Sequence, residues 1–153
     1  MEQFAWAAGF FDGEGCVQLY KRIRHDDWVD WQLMVTAVNT DIRPLVRMKA
    51  LFGGSIQPMQ KAGNKHGYLP SWAWMPSHAK AAKSLEMMLP WLTVKREQAE
   101  LALQSRKYIQ PHKRQRSQEN RDALDLIRVQ LSTLKKQPVG LAGLSVPPTG
   151  REN

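Results

Sequence analysis

The chain contains one cysteine, Cys16, in 153 residues. A single thiol closes no internal disulfide and builds no cysteine-based zinc site, so disulfide-stapled and zinc-stapled small folds are excluded. Histidine is scarce as well, at four residues. His66 and His112 have no companion at ligand spacing and read as surface residues rather than metal ligands. No apolar run approaches the roughly 20 residues that a membrane helix needs. The opening stretch MEQFAWAAGFFDGEG is acidic and too short in apolar length for a signal peptide, so an intracellular protein is expected, in cytoplasm, nucleoid or organelle matrix. Acids are also in short supply: 14 Asp+Glu face 22 Lys+Arg, a net charge of +8. Such an excess points to a polyanionic partner, with nucleic acid first and an anionic membrane surface second; a basic protein with no such partner is the plain alternative.

What is present is enough for a core. The hydrophobic fraction is 42%, and the length fits one compact domain with an appendage. Residues 3–12, QFAWAAGFFD, predict a short helix that is apolar almost all round, which requires burial. Ala7, Ala8 and Gly9 at its centre would let another backbone approach closely. The helix is expected to stop at Asp12-Gly13-Glu14-Gly15, where two glycines allow a sharp exit. Residues 16–24 and 30–38 alternate as strands on either side of the polar turn His25-Asp26-Asp27 and predict an antiparallel hairpin. Val17, Leu19 and Ile23 share one face of the first strand; Trp31, Leu33, Val35 and Ala37 share one face of the second.

An amphipathic helix follows over 41–52, with Pro44 in its first turn and Gly53-Gly54 closing it. Residues 55–61 and 68–75 predict two further strands, with Pro58 marking an edge or a bulge. Helices are expected over 77–89, 94–108 and 117–136, the first two separated by Pro90-Trp91. The tail 138–153 has no usable periodicity. The element order predicts an α+β fold: a four-stranded antiparallel sheet with helices on one face, plus a C-terminal helix. Residues 1–108 would form the core domain, 109–137 a basic linker and helix, and 138–153 a loose tail.

The other sheet face would carry Gln18, Tyr20, Arg22, Arg24, Gln32, Thr36, Gln57 and Lys61, with Asp30 and Ser71 grouped beside them. Basic, amide and aromatic groups on one face could reach guanine and adenine edges in a DNA groove. An ordinary solvated sheet face is the competing reading. The linker residues Lys113, Arg114 and Arg116 would touch backbone phosphate, or simply form a solvated charge run.

The strongest local signal is AAGFFDGEG, residues 7–15. Carboxylates at a helix C-terminus oppose the helix dipole and need compensation. A divalent cation held by carboxylate and carbonyl oxygens would supply it, and phosphodiester hydrolysis uses such a cation. A simple Asp-Gly-Glu-Gly turn is the alternative.

Residues 7–15 resemble the nine-residue motif of the LAGLIDADG homing endonucleases. Ala8, Gly9, Asp12 and Gly15 match; Phe10 and Phe11 replace aliphatics, Glu14 replaces the second aspartate, Ala7 stands for leucine and Gly13 for alanine. VTAVNTDIRPL followed by LFGGSI, and LPWLTVKREQAELAL, are similar to later family segments, so the resemblance covers roughly residues 4–108. It implies the family's αββαββα core and metal-dependent cleavage of both strands at a long, near-palindromic DNA site. The single copy implies a homodimer, paired through the Ala7-Ala8-Gly9 helix. LAGLS at 141–145 lacks the acids and reads as a coincidence of composition. The resemblance further implies Glu14 and the Gly13 carbonyl as ligands to Mg2+ or another divalent cation such as Mn2+ or Ca2+, with Asp12 structural. Asn39 would order water, while Arg43 and Lys95 would sit near the scissile phosphate. Two other classes stay open: a non-cleaving DNA- or RNA-binding regulator or maturase-like protein on the same scaffold, and a membrane-surface or ribosome-associated basic protein.

Overall fold

The computed structural model describes residues 1–23, 29–60, 69–109 and 117–136, without the side chains of residues 60 and 78. Among these residues the order is α1 (Glu2–Glu14), β1 (Gly15–Ile23), β2 (Val29–Asn39), α2 (Ile42–Phe52), β3 (Ser55–Gln60), β4 (Ser71–Met75), α3 (His78–Met88), α4 (Arg96–Gln104) and α5 (Gln118–Lys136). Short 3-10 turns follow α3, over Leu89–Trp91, and α4, over Ser105–Lys107. The four strands form one sheet in the order β1-β2-β4-β3, antiparallel throughout. The expected α+β architecture is therefore present. Pro58 lies in an edge strand, beside a register shift between Pro58 and Gln60.

Alternation dictates which face is covered. In β1, Val17 and Leu19 are buried while Gln18, Tyr20 and Arg22 are exposed. In β2, Trp31, Leu33, Val35 and Ala37 are all buried. The helices lie over this apolar face and complete the core with Phe11, Leu45, Met48, Leu85 and Met88. Burying one such large side chain is worth roughly 1.5–3 kcal/mol relative to leaving it in water. The helix α5 joins the same core through Leu124, Ile127 and Leu131, a stripe at helical spacing. Lys21, on the covered face of β1, is tied to it by an ion pair with Asp125 at 2.8 Å. Ile23 shares that face by alternation but is 68% exposed.

Two glycines are required by geometry after α2. Gly53 and Gly54 have φ of 70° and 96°, conformations that residues with a Cβ rarely adopt. The Gly53 carbonyl also accepts the indole N–H of the buried Trp74 at 2.9 Å. The turn His25-Asp26-Asp27, the LAGLS segment and the tail 138–153 lie outside the described residues.

Candidate metal centre and nucleic-acid interface

α1 does not stop at Asp12. It runs through Gly13 to Glu14, and the chain leaves in extended conformation at Gly15, with φ −80° and ψ 157°. No left-handed glycine is needed there. Gly15 is constrained instead by crowding, since a Cβ would fall inside the Phe11 ring and against the Phe11 carbonyl.

The two extra residues separate the two acids. The carboxylate of Asp12 accepts the backbone N–H of Thr93 at 2.8 Å and of Lys95 at 2.9 Å. The Lys95 ammonium in turn donates to the Asp12 carbonyl. This clasp joins the end of α1 to the start of α4, where Lys95 is the N-cap position. The carboxylate at position 12 is thus compensated by two amide donors, with no divalent metal needed there. Glu14 is left over. It is exposed, and its carboxylate makes no hydrogen bond or ion pair among the described residues.

The helix also has two unlike flanks. Ala7, Ala8 and Phe11 are fully buried within the chain. Gly9 and Gly13 are exposed, and a Cβ added at either would meet nothing within 4 Å. Within one chain one side of the helix is open, and of Ala7-Ala8-Gly9, the expected pairing residues, only Gly9 lies on it. Beside this open flank Trp6 stacks on Phe10 at 5.7 Å, and the Arg47 guanidinium covers Trp6 at 4.0 Å.

The other proposed site residues fall into groups. Gly15 pairs with Ala37, so Asn39, two residues on, lies at the sheet end where α1 arrives. Its Oδ1 accepts the Asp41 N–H at 2.8 Å, which starts α2. Asp41 caps that helix by accepting the Arg43 N–H at 2.9 Å. The same carboxylate takes the Arg43 guanidinium through Nε at 2.9 and 3.0 Å and Nη2 at 2.5 Å. These bonds hold the Asp41 carboxyl down to about 2 and raise the Arg43 guanidinium further. The structure thus joins Lys95 to the α1 terminus directly and joins Arg43 to Asp41. Asp41 was missed in the sequence, although an Asp just before a helix is a capping signal.

The open sheet face carries Gln18, Tyr20, Arg22 and Gln57 exposed, and Gln32 and Thr36 half-buried. Tyr20 lies opposite Gln32 and Arg22 opposite Asp30. Ser71 is on this face but only 9% exposed, recessed beside the small Ala73. Arg24, Lys61, His66, His112, Lys113, Arg114 and Arg116 lie outside the described residues. No helix among the described residues is long and apolar enough to cross a membrane.

No protein-family model and no curated protein sequence matches the chain. Solved structures do match its fold. The homing endonuclease I-CvuI in complex with its target, solved in the presence of calcium, superposes with a TM-score of 0.69 at 24% identity, over 90% of this chain and 85% of that one. The LAGLIDADG homing endonuclease I-SmaMI bound to cleaved DNA gives 0.60 at 20% identity, over 83% of this chain and 42% of that one. This chain has the LAGLIDADG homing endonuclease fold. An archaeal intron-encoded homing endonuclease complexed with DNA agrees, at 0.69 and 16% identity, over 91% and 86% of the two chains. Within the LAGLIDADG fold, residues 7–15 occupy the end of α1 and the start of β1, which is where Asp12 and Glu14 part.

Proposed function

We propose that the protein is a site-specific endonuclease that cuts both strands of a DNA duplex as a homodimer, using divalent metal. The observation that carries this reading is the division of labour at the end of α1: Asp12 is consumed by the clasp to α4, and Glu14 is left exposed and, among the described residues, unpaired. A bare carboxylate at the negative end of a helix is electrostatically unfavourable unless a cation joins it.

The donors fit a hard cation only in part. Glu14 offers a carboxylate and Gly13 a backbone carbonyl, both oxygen ligands of the kind Mg2+ takes. Among the described residues, however, no group of three His, Cys, Asp or Glu comes together. One chain therefore holds half a site, and a second copy would supply the second carboxylate. The exposed Gly9 and Gly13, one helical turn apart, allow two α1 helices to approach closely across a two-fold axis. The coverage supports this arithmetic, because the chain spans most of I-CvuI but under half of I-SmaMI. When bound, the cation would polarise the phosphate and lower the pKa of the attacking water.

The remaining roles belong to the protein. The Lys95 ammonium, bonded to the Asp12 carbonyl at the end of α1, would stabilise charge developing on phosphate. Asn39 retains an amide N–H2 to orient water once its Oδ1 is engaged by Asp41. Recognition falls to the β1–β2 ribbon. Its paired residues run from Gly15 to Ile23, and at about 3.3 Å per residue they span roughly three-quarters of a turn of duplex. A two-stranded ribbon fits the major groove, where Gln18, Arg22 and Gln32 would read base edges and Tyr20 and Thr36 would add contacts.

The test is selection of cut products from a randomised duplex library in magnesium. Cleavage of both strands at one enriched, near-palindromic sequence, abolished in Glu14→Gln while binding persists, is the expected result. Sequence-selective binding without cutting would replace the nuclease with a regulator. Absence of binding would remove DNA as the partner.

A further inference from the structure

Arg43 sits where a cation is least welcome. It is the second residue of α2, in the turn where the helix dipole is positive, and its side chain is 87% exposed. Asp41 offsets that. One carboxylate caps the helix through the Arg43 N–H and also grips the guanidinium through Nε and Nη2. The two-nitrogen edge engaged by Asp41 is the edge that an arginine presents to a phosphate. Asp41 thus occupies, within the chain, the position a backbone phosphate would take.

Resting on the nuclease reading above, we infer that Asp41 is a positioning residue that withholds Arg43 from DNA. On duplex of arbitrary sequence Arg43 stays with Asp41 and adds no phosphate contact. At the cleavage site a phosphate held by the rest of the complex displaces the carboxylate. An exposed ion pair between near neighbours is weak enough for that exchange, because solvent screens the charges and both side chains lose freedom in holding one geometry. The exchange makes Arg43 available where the phosphate is already fixed and keeps a basic protein from binding DNA indiscriminately through this group.

The experiment measures binding to random-sequence duplex as a function of salt, with calcium in place of magnesium. Asp41→Asn keeps a good helix cap but loses the carboxylate that holds the guanidinium; Asp41→Ser repeats the design with a different cap. Both should bind random duplex more tightly. The slope of log affinity against log salt should steepen by about 1.8, one added phosphate contact of about 0.9 from each subunit of the dimer. Adding Arg43→Gln to either variant should remove the gain. A gain that survives Arg43→Gln would come from the lost negative charge alone and would overturn the inference, as would an unchanged slope in both single variants. Salt-dependent binding by the unaltered protein together with an unchanged Asp41→Asn slope would sink this inference and leave the nuclease reading standing. Failure of the unaltered protein to bind duplex at any salt would sink the nuclease reading itself.

Discussion

The two flanks of α1 belong to one helix of 13 residues and do opposite work. The inner flank, Ala7, Ala8, Phe11 and Asp12, is committed to the chain's own core and to the clasp on α4. The outer flank, Gly9 and Gly13, has open space where a Cβ would stand, and Glu14 is exposed at the very end of the helix. The difference teaches that a helix can be part of a core and still hold a vacant surface. A flank without side chains makes poor solvent-facing helix, since glycine lowers helix stability by about 1 kcal/mol relative to alanine. Two of them one turn apart make sense if a second backbone is to lie there.

The comparison can be broken at several points. The largest effect should come from Glu14→Gln, which alters only the exposed end of the helix. We expect cleavage to fall by at least about a hundredfold, with the melting temperature and duplex binding unchanged. Phe11→Ala, on the inner flank, should do the reverse and lower stability by about 3–5 kcal/mol in denaturant unfolding. Asp12→Ala lies between the two. It leaves the Thr93 and Lys95 N–H groups without their carboxylate, and a loss of about 1–2 kcal/mol is expected with Lys95-dependent activity falling as well. If Asp12→Ala proved as stable as the unaltered chain, the clasp would not be structural.

A sharper contrast uses neighbours. Ala8→Leu should overpack the core and cost about 1–3 kcal/mol. A Cβ at position 9 meets no atom within 4 Å, so Gly9→Ala should hold monomer stability or raise it by up to ~1 kcal/mol, while the bulkier Gly9→Leu should abolish the proposed dimer in sedimentation. The smallest effect concerns Asp41, whose carboxyl is lowered from 3.8 to about 2. A depressed folded-state pKa adds stability that is present above the unfolded pKa and lost as pH falls through the folded one. The melting-temperature gap between the unaltered protein and Asp41→Asn should therefore be constant above about pH 5 and shrink between about pH 4 and 2. A gap that widened in that window would contradict the geometry of the pair.

Much of the fold was legible in sequence because alternation and helical spacing are direct consequences of burial. Trp31, Leu33, Val35 and Ala37 could be placed on one face by counting alone, and so could the stripe of α5. Ile23 misled because alternation assigns a face but not how much of that face is covered. The end of α1 misled for another reason. Glycines suggest a turn, but Gly13 is helical, and Gly15 serves close packing against Phe11 rather than a positive φ. The clasp of Asp12 on Thr93 and Lys95 spans more than 80 residues of chain, a separation that no local pattern encodes. The Asp41–Arg43 pair is only two residues apart, yet spacing did not reveal that a basic candidate comes already partnered.

The central claim is that the outer flank of α1 meets its own copy and brings two Glu14 carboxylates together. Oxidative cross-linking tests it without knowledge of the DNA target. In a Cys16→Ser background, Gly9→Cys should form a disulfide-linked dimer rapidly and in high yield, because paired helices in close contact place the two sulfurs within bonding reach. Lys83→Cys, exposed on α3, should remain monomeric under the same conditions. Equal cross-linking at both positions, or none at position 9 with or without duplex DNA, would contradict the account.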